Sequence, residues 1–212
     1  LTAGGDGGIN AWVQASTDTA TGLSPDTSYT FQAKARNQSA VETPYSGTAS
    51  KWTLALMPAA PTLGSPTTTT MTLDVNPNGN PATTVFAIQC TAANPADATW
   101  ASQYVDALGQ PSATAIWQTD AAWGTITVNS MQPSTTYTFA VKARNGDGVE
   151  TVFGPGASLV TQALTGACCN PTTGVCTTTT QSACTGGGGV YQGDNTSCTP
   201  NPCAQPCLTP GD

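Results

Sequence analysis

The sequence predicts an all-β fold in which β-sandwiches run into a small disulfide-rich C-terminal module. Three observations carry this: one strand motif occurs twice, the composition is rich in Thr, Gly, Pro and Ser but poor in charge, and the cysteines crowd at one end. Charged residues make up 8% of the 212 and hydrophobic ones 38%, a balance typical of extracellular β-proteins rather than cytosolic helical ones. The length allows one or two packed cores with an appendage.

The repeat is the strongest signal. Leu23-Ser24-Pro25-Asp26-Thr27-Ser28-Tyr29-Thr30-Phe31-Gln32-Ala33-Lys34-Ala35-Arg36-Asn37 recurs as Met131-Gln132-Pro133-Ser134-Thr135-Thr136-Tyr137-Thr138-Phe139-Ala140-Val141-Lys142-Ala143-Arg144-Asn145. The register then holds without a gap through Val41-Glu42-Thr43 and Val149-Glu150-Thr151 to Thr53 and Thr161. In each copy apolar side chains alternate with Thr, Gln, Lys and Arg, so they share one face of a strand. Such a strand is half-buried in an antiparallel sheet. A Pro-containing corner precedes it, and Asn145-Gly146-Asp147-Gly148 supplies the positive φ angles of a tight turn. The corresponding Asn37-Gln38-Ser39-Ala40 makes a looser loop.

The pattern hydrophobic-x-Pro-x-Thr-x-Tyr-x-Phe, continued to Asn, resembles strands E and F of a fibronectin type III domain, including its tyrosine corner. The resemblance extends to Ala60-Pro61-Thr62-Leu63 as strand A, Met71-Thr72-Leu73-Asp74-Val75 as strand B and Thr84-Val85-Phe86-Ala87-Ile88-Gln89-Cys90 as strand C. Tyr104-Val105, Ala115-Ile116-Trp117 and Thr125-Ile126-Thr127-Val128 are expected as further strands, with Thr53 and Thr161 at the close of strand G. Residues 58–163 are thus expected to form a complete sandwich. The core Trp that the family carries on strand B is absent, because Asn76 to Pro81 occupy that region, and Trp117 or Trp123 is expected to fill the volume.

Residues 1–57 are expected to form only the C-terminal part of a sandwich, because too few residues precede the first copy to provide strands A, B and C. A half-sandwich leaves its inner face wet and its edges unpaired. Its missing strands come either from upstream sequence or from a neighbouring subunit. Leu1, Trp12, Tyr29 and Phe31 are the candidate subunit interface.

Residues 164–212 form the cysteine-rich module. Its Gly-Ala-Cys-Cys opening and its later Gly-Gly-x-Tyr-x-Gly-Asp are similar to repeats in large secreted proteins of environmental bacteria, planctomycete-like ones especially, and the similarity implies location more than activity. Cys168, Cys169, Cys176, Cys184, Cys198 and Cys203 fit that repeat, leaving Cys90 and Cys207 over. All eight are expected in disulfides: three within the module and one longer link, or a link between molecules through Cys90 and Cys207. The pairing stays open, except that adjacent Cys168 and Cys169 bond to different partners. Paired Cys-x-x-Cys knuckles for zinc are lacking.

A net charge of -7 without a basic cluster argues against nucleic acid and anionic membranes as partners. No apolar run is long enough for membrane insertion. The chain begins with Leu and lacks a secretory signal, so it is expected to be a processed or partial secreted chain.

With no histidine, every Ser-His or Cys-His arrangement is excluded, and the acidic residues are scattered singly through turns. The chain is therefore expected not to be an enzyme and to need no cofactor or metal. Asp147 and Glu150 near Asn145, or Asp194 with Asn195, are the weaker calcium alternative. Lys34 and Arg36 are expected to pair with Glu42, and Lys142 and Arg144 with Glu150.

Trp12, Trp52, Trp100, Trp117 and Trp123 raise stacking against surface glycans as a second use, although Trp in a sandwich more often packs in the core. Asn37 and Asn195 open candidate glycosylation triplets. The function expected is a structural or adhesive bacterial surface protein, self-associating head to tail into a filament by strand complementation. The alternative is a non-catalytic spacer or carbohydrate-binding region of a larger secreted enzyme.

Overall fold

The alternating repeat becomes a strand in both copies, with different lengths. A computed structural model describes residues 17 and 19–203; Leu1, Trp12 and Cys207 lie outside them. In the first copy β1 (Ser28–Phe31) pairs antiparallel with β2 (Ala49–Trp52) as a two-stranded ribbon. The chain then builds β3 (Thr62–Gly64), β4 (Met71–Asp74), the long β5 (Val85–Asn94), β6 (Tyr104–Val105), β7 (Pro111–Ser112) and β8 (Gln118–Thr119). A single helical turn, α1 (Asp120–Trp123), leads to β9 (Thr125–Val128), β10 (Thr136–Arg144) and β11 (Ala157–Val160).

Two sheets result, β3-β4-β9 and β11-β10-β5-β6-β7, with β8 attached to β5. Their inner faces enclose one core. Met71 and Leu73 of β4, Phe86 and Ile88 of β5, Val128 of β9, and Tyr137, Phe139 and Val141 of β10 are all 0% exposed. Period-two alternation along each strand puts these residues on one side, as an aligned sandwich requires.

The core tryptophans are Trp123, one of the two expected, and Trp100, which was not; Trp117 is outside the core. Trp100 is fully buried, meets the Phe139 ring edge-on at 5.8 Å and donates its indole N–H to the Asn129 carbonyl at 2.9 Å. Trp123 is also buried, with its N–H on the Phe86 carbonyl at 3.0 Å. Trp117 is half-exposed, and the strand expected over residues 115–117 is irregular backbone that leads into β8 and α1. Thr119 starts α1 by accepting the Ala122 N–H on its side chain.

The C-terminal region is a three-stranded sheet, β13-β12-β14, of β12 (Gly166–Cys169), β13 (Cys176–Thr179) and β14 (Val190–Tyr191), with the short α2 (Gln181–Gly186) packed on it. Its bridges are Cys168–Cys184, Cys169–Cys203 and Cys176–Cys198. Buried side chains here are small, namely Ala167 and the cysteines, so covalent closure supplies what apolar area does not.

Cys90 departs from the disulfide expected of it. It is a free thiol at 0% exposure in the sandwich core, with Sγ donating to the Ala92 carbonyl at 3.4 Å. Facing inward from β5 opposite Phe139, it cannot reach another molecule without the sandwich opening.

Candidate functional site

The two copies of the motif fold alike down to single hydrogen bonds. Tyr29 Oη accepts the Ser24 N–H at 2.9 Å and Tyr137 Oη accepts the Gln132 N–H at 2.7 Å, giving a tyrosine corner in each. Thr27 donates its N–H to Thr53 Oγ1, and Thr135 donates to Thr161 Oγ1, both at 3.0 Å. Thr30 faces Ser50 at 2.7 Å as Thr138 faces Ser158 at 2.8 Å. Each Asn that ends the strand closes its loop alike: Asn37 Oδ1 accepts the Val41 N–H and Asn145 Oδ1 accepts the Val149 N–H.

What covers the two copies differs. In the second, β10 lies between β11 and β5, and its whole length is paired with β5. In the first, β1 pairs with β2 alone among the described strands. Tyr29 and Phe31 are accordingly half-exposed where Tyr137 and Phe139 are completely buried. Val41, Tyr45 and Leu54, at 64%, 58% and 66% exposure, add apolar surface to the same unit. The structure thus places Tyr29 and Phe31 on one open strand.

The polar side of β10 is self-contained. Lys142 Nζ pairs with Glu150 at 2.6 Å, as Lys34 does with Glu42. Lys142 also lies over the rings of Tyr104, Trp117 and Phe153 at 5.3–5.4 Å, and the Arg144 guanidinium lies 4.3 Å from the Trp117 centroid. Cation–π contact therefore occupies the Trp117 ring from within the molecule. With Trp100 and Trp123 buried and Trp52 stacked on a neighbouring loop, no tryptophan among the described residues stands clear as a platform for a sugar ring.

The oxygens considered for calcium have protein partners. Asp147 pairs with Lys51 at 2.6 Å, and this hydrogen bond holds its carboxyl below the usual carboxylate range. Glu150 takes Lys142 and Asn145 Oδ1 takes an amide, while Asp194 accepts the Tyr191 hydroxyl at 2.7 Å. Among the described residues no group of three or more His, Cys, Asp or Glu could hold a metal ion. Asn37 and Asn195 are both exposed on loops.

Sequence reasoning missed Asp26 and Asp97, two buried carboxylates. Asp97 accepts the Tyr137 hydroxyl at 2.5 Å, and Asp26 accepts Thr84 Oγ1 at 2.6 Å. In sequence each is a lone turn aspartate, and nothing local marks its partner 40 or 58 positions away.

No protein-family model and no curated protein matches the chain. Among solved structures it is similar to the chicken CNTN1 FN1-FN3 domains, at 14% identity over 66% of this chain with a TM-score of 0.37. The chain spans 42% of that structure. It is similar to the fibronectin type-III domain of human fibronectin type III domain containing protein 3, at 21% identity over 50% of this chain and 85% of that one, TM-score 0.34. It is also similar to the rat CD45 extracellular region, domains d3-d4, at 15% identity over 71% of each chain, TM-score 0.37. By its own sheets, β3-β4-β9 against β11-β10-β5-β6-β7, the chain is an all-β protein with a fibronectin-III-like sandwich and a disulfide-rich C-terminal region.

Proposed function

We propose that the chain is a structural or adhesive extracellular protein whose first unit is completed by a strand from another copy, so that subunits join head to tail into a filament. One observation carries the reading: the same strand with the same hydrogen bonds is paired on both sides in the second unit, with Tyr137 and Phe139 fully buried, whereas in the first it pairs with β2 alone among the described strands and its Tyr29 and Phe31 stay half-exposed. The second unit also shows what a fitting partner looks like. There an antiparallel strand runs along β10 and sets Phe86 and Ile88 into the core beside Phe139.

A strand of alternating apolar residues added along β1 would cover Tyr29 and Phe31 in the same way, and main-chain hydrogen bonds would supply the affinity. Because donor and acceptor surfaces differ, the contact is heterologous and propagates. The donor expected around Leu1 and Trp12 lies outside the described residues. Three disulfides suit an oxidising, extracellular setting, and the role is non-catalytic.

Negative-stain electron microscopy of unreduced native material, with intact mass, tests the proposal. Uniform filaments whose subunit mass matches this chain are expected. Discrete particles built from a much longer polypeptide would overturn it and leave the spacer role.

A further inference from the structure

Where the two units meet, the contacts are specific to these particular copies. The Asp26 carboxylate, in a residue 4% exposed, accepts Thr84 Oγ1 at 2.6 Å and the Gly146 N–H at 2.9 Å. A buried carboxylate needs such donors on its oxygens. The Trp52 ring lies against Gly146 so closely that a Cβ there would come within 2.3 Å of it. Asn145 Nδ2 donates to the Thr53 carbonyl at 2.9 Å, and Lys51 pairs with Asp147 at 2.6 Å.

The repeat supplies an internal control for each side of the joint. At the positions of Asp26, Lys51 and Trp52 the second copy has Ser134, Leu159 and Val160. At the positions of Gly146 and Asp147 the first copy has Gln38 and Ser39. The second copy therefore has no carboxylate or indole to insert, and the loop of the first copy has a side chain where the indole would sit.

We infer that the joint is an order-specific lock: the socket of Thr84, Asn145, Gly146 and Asp147 accepts a repeat unit that carries Asp and Trp where the first unit has Asp26 and Trp52. A unit with the second copy's residues lacks these contacts and is held less firmly. The lock fixes the first unit as a rigid extension of the sandwich, so the β1–β2 ribbon takes part of its order from the joint. It uses residues other than Tyr29 and Phe31 and stands whether or not copies polymerise.

The test exchanges residues between copies. Full-length Trp52→Val, Asp26→Ser and Gly146→Gln are compared with the parent chain by hydrogen exchange on peptides spanning β1 and β2, at a concentration where the chain is monomeric. Cys90 alkylation, localised by mass spectrometry, reports on the second sandwich. Each exchange is expected to speed amide exchange in β1 and β2 by about tenfold, the effect of losing one buried contact, while Cys90 stays protected.

Trp52→Val combined with Gly146→Gln is expected to do no more than the worse single variant, because both break one contact. Unchanged exchange in Trp52→Val or Asp26→Ser overturns the lock, as does full additivity in the pair. If Gly146→Gln alone exposes Cys90, the two first-unit variants still decide, since they leave the sandwich sequence intact.

Discussion

Phe31 and Phe139 occupy the same place in the motif and have different surroundings, so a single truncation at each separates packing from sequence. Phe139 is fully buried against Trp100, and Phe139→Ala is expected to cost about 3–5 kcal/mol in urea unfolding. Phe31 is half-exposed, and Phe31→Ala is expected to cost about 1 kcal/mol or less in the monomer. Alkali tests the core from another direction. Burial pushes the Cys90 thiol up from 9.0 to about 11, with Asp97 adding to the effect and the Ala92 carbonyl opposing it. Burial and the hydrogen bond to Asp97 raise the Tyr137 hydroxyl as well. Both groups bind their protons more tightly folded than unfolded. Their contribution is therefore complete below the unfolded-chain values and is lost as the pH climbs through the folded ones. The urea midpoint is expected to fall from about pH 9 upward, and Cys90→Ala to flatten the part of that fall up to about 11. Trp100 shows the limit of reading single residues. It follows Asp97-Ala98-Thr99 in a turn, outside any alternating run, so periodicity gave no sign that it is the core aromatic.

Element lengths show what the motif fixes and what neighbours fix. β10 runs nine residues and β1 four, although both segments carry the same alternation. The extra length of β10 is matched by pairing to β5, so strand extent is a tertiary property here. The motif strand and the tyrosine corner were legible because alternation, Pro and Tyr act locally. The short helices were not, since each is a turn or two long and rests on one threonine cap, Thr119 or Thr180. The disulfide pairing was also closed to the sequence. It depends on β12 lying between β13 and β14, which brings Cys168 to α2 and Cys169 to Cys203. Replacing Cys176 and Cys198 by Ser is expected to cost the module about 2–4 kcal/mol. Hydrogen exchange should then show β12 to β14 open while β10 keeps its protection. Equal loss in both regions would mean that module and sandwich unfold as one unit.

At the scale of the molecule, two readings of one repeat meet. The sequence made the repeat legible, because the motif returns in one register at residues 23–37 and 131–145. It could not show the joint, whose residues Asp26, Trp52, Thr84 and Gly146 come together only through the fold. Together the lock and the open strand give a unit held on the second sandwich in which β1 carries, among the described strands, no partner on the side that β5 takes in its counterpart. The most direct measurement of the central claim is hydrogen exchange on the full-length chain over a range of concentrations, comparing the peptide across β1 with the one across β10. Strand completion by another copy predicts that β1 exchanges faster in the monomer and gains protection as concentration rises, while β10 stays constant. Protection of β1 that equals that of β10 at every concentration would contradict the account, because the strand would then be covered within a single chain.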